Sequence, residues 1–364
     1  MKFNADKELM NYLEELENIN ELNLSISDLL FSLLGNKEII NKKEIDVLLS
    51  KTNYSSKELL LGKVIDYLDI DLSIEDNQEI FDNYIAGAIS ELDPKEYTSN
   101  PYYQNIKIED IKDGDFELIY DHYQAYEIFP CLDMDKETNY IEVNSMGYFK
   151  DEFPFIALNH KGVTWMSITP NEIETMKKAI NTVKGEVLVF GLGLGYFTYM
   201  ALLKSDVKKV MVIEKDKKII NLFKKHLLPQ FPHNEKLEIV NDDALNYLDK
   251  QLNADYAFID LWHDPTDGIE LFIKFKKSEA KQNRCRFLYW LESSFYLYLR
   301  RCFITLLLEA KSGYGDNHYK NIETVDDKII SDYYKATKNL VISTRSQLEN
   351  LLLDESLLGL LLNN

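Results

Sequence analysis

Three glycines stand close together in a chain that otherwise uses little glycine. Gly191, Gly193 and Gly195 lie in the segment VLVFGLGLGYF, between an apolar run typical of a buried strand and a helical pattern. Glycine accounts for 14 of the 364 residues, roughly 4% against a background of about 7%. Glycine at a strand-to-helix turn lets the chain turn tightly and lets a polar or anionic ligand approach free backbone N–H groups. The cluster therefore predicts a ligand-binding turn.

The spacing of these glycines does not fit two common phosphate-binding motifs. The dinucleotide fingerprint GxGxxG needs a glycine where this chain has Tyr196, and the Walker pattern needs a GK[ST] sequence that this chain lacks. What remains is a GxGxG turn, which by itself leaves the ligand open.

Acidic residues follow the next three predicted strands. Glu214 ends the strand VMVIE, 23 residues after Gly191, where a carboxylate can accept hydrogen bonds from both hydroxyls of a ribose. Asp242 and Asp243 follow the strand KLEIVN, and Asp260 ends the strand DYAFID. Ligands of an open parallel sheet bind in a crevice at the carboxyl ends of its strands, so we expect the turn and these acids in one crevice.

The elements that must position these residues alternate between strand and helix. Beginning with a strand, the successive segments are GEVLVFG, YFTYMALLKS, KKVMVIEK, DKKIINLFKKHLL, KLEIVND, ALNYLDKQL and DYAFIDL. This alternation predicts a parallel sheet covered by helices on both faces, and so an α/β fold. A further strand is predicted over 284–291, followed by a long helix to about Ala310.

A helix start precedes this alternation. Thr169 is predicted to be its N-cap, and Glu172 is predicted to close a capping box with it. Helical spacing then predicts a buried face made of Ile173, Met176 and Ile180.

All eight prolines lie in the middle of the chain, so both ends are predicted to be mostly helical. In residues 1–95, Ser27 precedes an apolar run and predicts a helix start, and Ser55 and Glu58 form a predicted capping box. The 9 Lys and 20 Asp and Glu of this segment give it a net charge of −11, which is over half of the total.

Short alternating runs rich in aromatic residues lie between the helical start and the α/β region, and they predict strands and hairpins. We therefore predict four regions. They are a helical acidic domain over 1–95, a small β-rich subdomain over 96–168, a Rossmann-like domain over 169–311 and a helical C-terminal extension over 312–364.

These motifs resemble a known family. A GLGLG turn after the first strand, Glu214 after the second, Asp243 after the third and Asp260 after the fourth resemble the class I S-adenosylmethionine-dependent methyltransferase superfamily. Within it, they resemble the spermidine-synthase-like branch over about residues 165–292. The resemblance implies a Rossmann-like core, preceded in aminopropyltransferases by a β-stranded domain.

The resemblance also implies roles for the residues at the strand ends. The three glycines would approach the methionine part of S-adenosyl-L-methionine, Glu214 would hold the ribose, and Asp243 would reach the adenine, with Asp242 as the alternative. The predicted cofactor-binding residues are Gly191, Gly193, Gly195, Glu214, Asp242, Asp243 and Asp260.

The catalytic residues are predicted in the segment after the fourth strand: Asp260, His263 and Asp264. A carboxylate or an imidazole beside the transferred group can accept the acceptor's proton, and Trp262 can stack on a cation. Spermidine synthases carry an acid in a GGGDG turn and two aspartates three residues apart, the second before a proline. Here the turn is GLGLG, and Asp260 and Asp264, which precedes Pro265, are four apart. These differences favour a methyltransferase.

Charge and composition exclude other classes. The net charge of −20 opposes an extended nucleic-acid or membrane surface. The first residues lack the pattern of a signal peptide, and three cysteines without a CxxC motif, Cys131, Cys285 and Cys302, indicate a reducing compartment and no metal site. We expect a cytoplasmic protein.

The leading prediction is therefore a methyltransferase that uses S-adenosyl-L-methionine and acts on a small-molecule or protein acceptor, with a homodimer left open. One alternative is an aminopropyltransferase that uses decarboxylated S-adenosylmethionine. Another, of a different class, is a non-catalytic nucleoside-binding or interaction protein in which the helical ends carry the function.

Overall fold

A computed structural model describes residues 1–4, 6–35, 40–136 and 139–363. The described residues up to 91 are mainly helical, as predicted. Their elements are β1 (Lys2–Phe3), α1 (Lys7–Leu33), α2 (Lys42–Lys51), α3 (Ser56–Leu68), α4 (Glu75–Ile80) with a π-helical continuation (Phe81–Ala86), and β2 (Ile89–Glu91).

The two helix starts predicted in this region have different outcomes. The capping box of Ser55 and Glu58 is present at the start of α3. The helix start predicted at Ser27 is wrong, because Ser27 lies inside α1. Buried positions continue at helical spacing past it, at Ile26 and Leu30, so the helix has no reason to break there.

The middle of the chain is rich in short strands, as predicted. Its elements are α5 (Pro94–Thr98), α6 (Pro101–Asn105), β3 (Ile111–Asp113), β4 (Phe116–Tyr123), β5 (Phe129–Pro130), β6 (Asp135–Lys136), β7 (Glu142–Val143), β8 (Met146–Tyr148), β9 (Phe153–His160) and β10 (Val163–Ser167). Four of these strands form an antiparallel sheet in the order β10-β9-β4-β3. The β9–β10 hairpin turns at Lys161 and Gly162, both at positive φ, as a two-residue hairpin loop of type I′ requires.

The central domain alternates between helices and strands. Its elements are α7 (Pro170–Thr182), β11 (Gly185–Phe190), α8 (Tyr196–Leu202), β12 (Val207–Glu214), α9 (Lys217–Leu222) with a π-helical continuation (Phe223–Leu227), β13 (Leu237–Asn241), β14 (Tyr256–Ile259), α10 (Pro265–Glu279), β15 (Arg286–Tyr289) and α11 (Glu292–Lys311). The five strands pair in parallel in the order β13-β12-β11-β14-β15. The predicted α/β, Rossmann-like core is confirmed.

The strand order creates a crevice beside β11. The chain passes from β11 to β12 and β13 on one side, then returns to place β14 and β15 on the other. Connections that leave β11 and β14 in opposite directions open a crevice at the carboxyl ends of these strands, where α/β proteins bind ligands.

One helix predicted in this domain is much shorter in the structure. The segment ALNYLDKQL forms only a 3₁₀ turn, Ala244–Tyr247. The backbone after this turn is held by side chains from beyond α10: Gln282 accepts a hydrogen bond from the Leu252 N–H and donates one to the Lys250 carbonyl. These long-range bonds replace the backbone bonds that a helix would make.

The capping box predicted at the start of α7 is also absent. Thr169 occupies the N-cap position, but its side chain makes no capping hydrogen bond. Thr169 is buried and its hydroxyl lies beside Tyr123, while Glu172 lines a cavity. The predicted buried face of Ile173, Met176 and Ile180 is confirmed.

The C-terminal part packs three helices and one short strand against the core. They are α12 (Val325–Thr337), β16 (Val341–Ile342), α13 (Arg345–Leu351) and α14 (Asp354–Leu362). The strand β16, which the helical prediction for this region missed, pairs in parallel with β1 and so ties the two ends of the chain together. Within the described ranges, no helix has the length and apolarity needed to cross a membrane.

Candidate active site

The glycine turn connects β11 to α8 and depends on the absence of side chains. Gly191 has a φ of +98°, and a Cβ there would stand 2.0 Å from the carbonyl oxygen of Asp260. At Gly195, with a φ of +78°, a Cβ would stand 2.6 Å from the ring of Phe223. Any other residue at these two positions would force the ends of β11 and β14 apart or displace a core ring.

Gly193 lies at the open side of the same turn. The atom nearest to a Cβ built there is the Sδ of Met166, at 3.9 Å. The backbone N–H groups of Gly193 and Leu194 make no hydrogen bond within the described chain. They are therefore available as donors to a polar ligand in front of the turn.

A cavity of about 530 Å³ opens in front of the turn. Its walls combine the carboxyl ends of the central strands with β10 of the small β-rich subdomain and the first turn of α7. The predicted site residues that line it are Gly191, Gly193, Gly195, Glu214, Asp243, Asp260 and His263. Of the described residues, the predicted Asp242 and Asp264 are not among those lining the cavity.

Glu214 braces the glycine turn from the end of β12. Its Oε2 accepts a hydrogen bond from the Leu192 N–H at 3.2 Å, and its Oε1 accepts one from the Asp216 N–H at 2.7 Å. A carboxylate has about four acceptor positions, so both oxygens keep capacity for further donors. The geometry suits a diol such as that of a ribose.

Asp243 and Asp242 have different environments at the end of β13. Asp243 lines the cavity, and one of its oxygens accepts a hydrogen bond from the Leu245 N–H at 2.8 Å. Asp242 is tied to its own loop, where Asn246 donates to it at 2.6 Å. That hydrogen bond and one from the Asp243 N–H lower the pKa of Asp242. The arrangement leaves Asp243 as the acid directed to a ligand.

Two carboxyl groups without hydrogen-bond donors face the other side of the turn. Asp260 follows β14, and Glu172 lies in the first turn of α7. Neither side chain accepts a hydrogen bond from a described residue. Burial raises the pKa of Asp260 to about 7, which the nearby His263 partly offsets. Burial also raises the pKa of Glu172 well above its usual range, and the charge of Asp260 raises it further.

His263 and Asp264 follow the same strand but do different things. His263 lines the cavity, and its Nδ1 lies 2.9 Å from an oxygen of Asp267. Asp264 is the N-cap of α10, where it accepts hydrogen bonds from the N–H groups of Thr266 at 2.7 Å and Asp267 at 3.1 Å. The imidazole therefore lies at the cavity wall, whereas the carboxylate stabilises a helix end.

All three tryptophans of the chain line this cavity. Trp262 is buried and its Nε1 donates to the carbonyl of Trp290, at 3.1 Å. Trp290 donates to the hydroxyl of Thr175 at 2.8 Å. Trp165 comes from β10 and stacks on Phe116. Each ring is held in place by a hydrogen bond or a ring contact with another residue of the chain.

Sequence reasoning missed several of these lining residues. Glu172 matched a capping box, and that interpretation concealed its position in the cavity. Trp290 follows β15 directly, so the rule that ligands bind at strand ends could have identified it. Trp165 and Met166 gave no signal, because only the packing of β10 over the crevice brings them there.

Comparisons with known proteins support the resemblance in the central domain. Residues 171–282 match the family model described as the spermine/spermidine synthase domain, and this segment is roughly a third of the chain. It contains the glycine turn, Glu214, Asp243 and the segment from Asp260 to Asp264. A search among curated proteins found no match.

Solved structures with partial similarity include spermidine synthases. One is a spermidine synthase in complex with the transition-state analogue AdoDATO, with 19% identity, a TM-score of 0.32, and coverage of 46% of this chain and 69% of that one. Another is the spermidine synthase of Thermotoga maritima, with 16% identity, a TM-score of 0.30, and coverage of 46% and 68%. A proposed methylase of Haemophilus influenzae has 24% identity, a TM-score of 0.24, and coverage of 30% and 61%.

The observed strand order, the turn at the end of β11 and the family match agree with one another. The match covers the central domain, and the flanking helical regions lie outside it. Residues 171–282 therefore form part of a Rossmann-like domain that is similar to the spermine/spermidine synthase domain.

Proposed function

We propose that this protein is a methyltransferase that uses S-adenosyl-L-methionine. The observation that carries the proposal is the convergence of the glycine turn, Glu214 and Asp243 on one cavity, with Asp260 beyond them. Under this proposal, the ribose hydroxyls of the cofactor donate to Glu214 and the adenine amino group donates to Asp243. The free N–H groups of Gly193 and Leu194 are suited to the carboxylate of the methionine part.

The chemistry requires little covalent help from the protein. The sulfonium of the bound cofactor supplies an already activated methyl group. The residues of the chain need to place the acceptor in line with that group and to take up its proton. Asp260, with a pKa of about 7, is a base that is partly ionised at neutral pH.

Binding of the cofactor is the direct test. Because the three tryptophans line the cavity, titration with S-adenosylmethionine and with S-adenosylhomocysteine is expected to change the intrinsic fluorescence, and calorimetry should give the same dissociation constants. Folded protein that responds to neither compound at millimolar concentration would disprove the proposal. Binding without product, over a broad set of small-molecule and protein acceptors, would favour the non-catalytic alternative.

Aminopropyl transfer is the second candidate, and the charge of the cavity favours it. Among the described lining residues, five carboxyl groups stand against one ammonium, that of Lys215. An acidic cavity suits a cofactor that has lost its carboxylate and carries a free ammonium. Competition between S-adenosylmethionine and its decarboxylated form distinguishes the two candidate functions. Tighter binding of the decarboxylated form would support aminopropyl transfer, and tighter binding of the carboxylated form would exclude it.

A further inference from the structure

The order of the strands divides the cavity into two halves. Asp243, Glu214 and the glycine turn follow β13, β12 and β11, which are successive neighbours in the sheet. Asp260 and Trp290 follow β14 and β15, on the other side of β11. Neighbouring strands lie about 4.8 Å apart, so these groups are spread along one edge. If the nucleoside occupies the first half, as the proposed function requires, the second half receives the acceptor.

The acceptor half contains one acidic spot. Glu172 and Asp260 both line the cavity. The negative charge of Asp260 adds to the effect of burial and raises the pKa of the Glu172 carboxyl group further. Two carboxyl groups that line the same half of one cavity and interact electrostatically can together receive one cation. Neither has a hydrogen-bond donor in the described chain, so a ligand that carries a positive charge and N–H groups would satisfy both.

Apart from the imidazole of His263, the rest of the acceptor half is mainly apolar and aromatic. Trp262 and Trp290 are 5% and 7% exposed, and their N–H groups are already used within the protein. Trp165 lines the same cavity from β10, and Met176 and Leu271 also line it. Indole faces attract cations and apolar groups alike. Among the described residues that line this half, no other carboxyl group lies apart from Glu172 and Asp260.

We propose that the acceptor is a primary monoamine attached to an apolar group of about the size of an aromatic ring. Its ammonium lies between Glu172 and Asp260, and its apolar group lies among the tryptophans. This inference rests on the proposed function. It differs from a diamine acceptor, which would need a second anionic position at the far end of the ligand.

The step balances with the residues present. The ammonium gives one proton to the Asp260 carboxylate and becomes a neutral amine. The nitrogen lone pair forms a bond to the methyl carbon as the carbon–sulfur bond breaks, and that electron pair stays on sulfur. The products are an N-methylammonium ion and S-adenosylhomocysteine, and Asp260 then releases its proton to solvent.

Binding measurements test this without knowledge of the natural acceptor. Protein saturated with S-adenosylhomocysteine is titrated with three probes: 2-phenylethylamine, its neutral analogue 2-phenylethanol, and the diamine putrescine. Tryptophan fluorescence and calorimetry report the dissociation constants. We expect 2-phenylethylamine to bind at least tenfold more tightly than either of the other two. Equal binding of the alcohol, or tighter binding of putrescine, would overturn the inference.

A matched pair of variants locates the ammonium. Glu172→Gln keeps the size of the side chain. We expect it to weaken the binding of 2-phenylethylamine at least tenfold and to change the affinity for S-adenosylhomocysteine less than twofold. Glu174→Gln is the control, because Glu174 lies on the same helix, pairs with Lys177 at 2.6 Å and does not line the cavity. Glu174→Gln should change the affinity for neither ligand by more than twofold. Equal effects of the two variants on the amine would contradict the proposal.

The outcomes also separate this inference from the proposed function. If wild-type protein fails to bind S-adenosylhomocysteine, the proposed function fails. If it binds S-adenosylhomocysteine but does not prefer the amine, only the acceptor class is wrong. Mass spectrometry of the reaction with S-adenosylmethionine provides a second measurement, in which the expected product is N-methyl-2-phenylethylamine.

Discussion

The two sides of the glycine turn hold their carboxylates in opposite ways. On the β12 and β13 side, Glu214 and Asp243 accept hydrogen bonds from backbone N–H groups. On the β14 side, Asp260 and Glu172 accept none from the described chain, and burial raises the pKa of both. Backbone donors stabilise a carboxylate in its charged form, whereas burial without donors favours the protonated form. The protein itself therefore supplies hydrogen-bond donors to the carboxylates on the β12 and β13 side. The carboxyl groups on the β14 side have donors only if a ligand provides them.

The largest expected effect comes from the residue that joins the two sides. Gly191→Ala would place a Cβ 2.0 Å from the Asp260 carbonyl, at a φ of +98°. We expect a loss of about 3 kcal/mol or more in the free energy of unfolding, measured by urea denaturation, with no cofactor binding. Gly114→Ala is the matched control: its φ is +63° but nothing lies within 4 Å of a Cβ, so the loss should be about 1 kcal/mol. Equal losses would show that crowding at Gly191 is unimportant.

The organised side can be tested at Glu214. In Glu214→Gln, one of the two oxygens that accept from Leu192 and Asp216 becomes an NH₂ group, which opposes a backbone N–H. We expect the affinity for S-adenosylhomocysteine to fall roughly 10- to 100-fold, about 1.4 to 2.7 kcal/mol, measured by calorimetry. Asp242→Asn, at an acid that does not line the cavity, should change the affinity less than twofold. If Glu214→Gln bound S-adenosylhomocysteine with normal affinity, Glu214 would not be the residue that binds the ribose.

The buried Asp260 carboxyl group on the β14 side is expected to lower the free energy of unfolding at neutral pH. A carboxyl with a pKa of about 7 in the folded protein and about 3.9 when unfolded makes the folded state less stable as pH rises through that window. Asp260→Asn removes this loss. We expect the variant to be more stable than the wild type by on the order of 1–3 kcal/mol at pH 7.5, with the difference vanishing near pH 4.

The contrasting acid provides the control for this measurement. Asp243→Asn keeps a side-chain oxygen that can accept from the Leu245 N–H and should change stability by less than about 0.5 kcal/mol. Chemical denaturation at several pH values checks both variants. Destabilisation by Asp260→Asn at pH 7.5 would mean that the Asp260 carboxylate is satisfied in the folded protein.

The smallest effect is expected at Asp264, which lies outside both sides. Its carboxylate caps α10 through the N–H groups of Thr266 and Asp267. Asp264→Ala should lose about 1 kcal/mol of stability and leave S-adenosylhomocysteine affinity unchanged, whereas Asp264→Asn should keep most of the cap. If Asp264→Asn retains stability but abolishes turnover, Asp264 is a catalytic residue, as the sequence predicts.

Much of the central domain was predictable because its signals are local. Apolar runs followed by glycine or acid predicted the strands β11 to β14 and the residues at their ends, and these residues do meet at one cavity except for Asp242. The failures arise where contacts distant in sequence override a local pattern. ALNYLDKQL has a helical pattern, but Gln282, some 30 residues away, bonds its backbone. No local pattern contains that information.

The sequence by itself determined which residues end the parallel strands, because hydrophobic runs specify the strands and glycine permits the turn between β11 and α8. Only the tertiary structure decided which carboxyl groups are buried without hydrogen-bond donors and which residues face them. Glu172 becomes a cavity residue because α7 lies near the end of β15, where Trp290 donates to Thr175. The three tryptophans, distant in sequence, line one cavity because β10 contributes to its wall. Burial and the choice of neighbours are set by packing between elements, and they give the two sides of the turn their different chemistry.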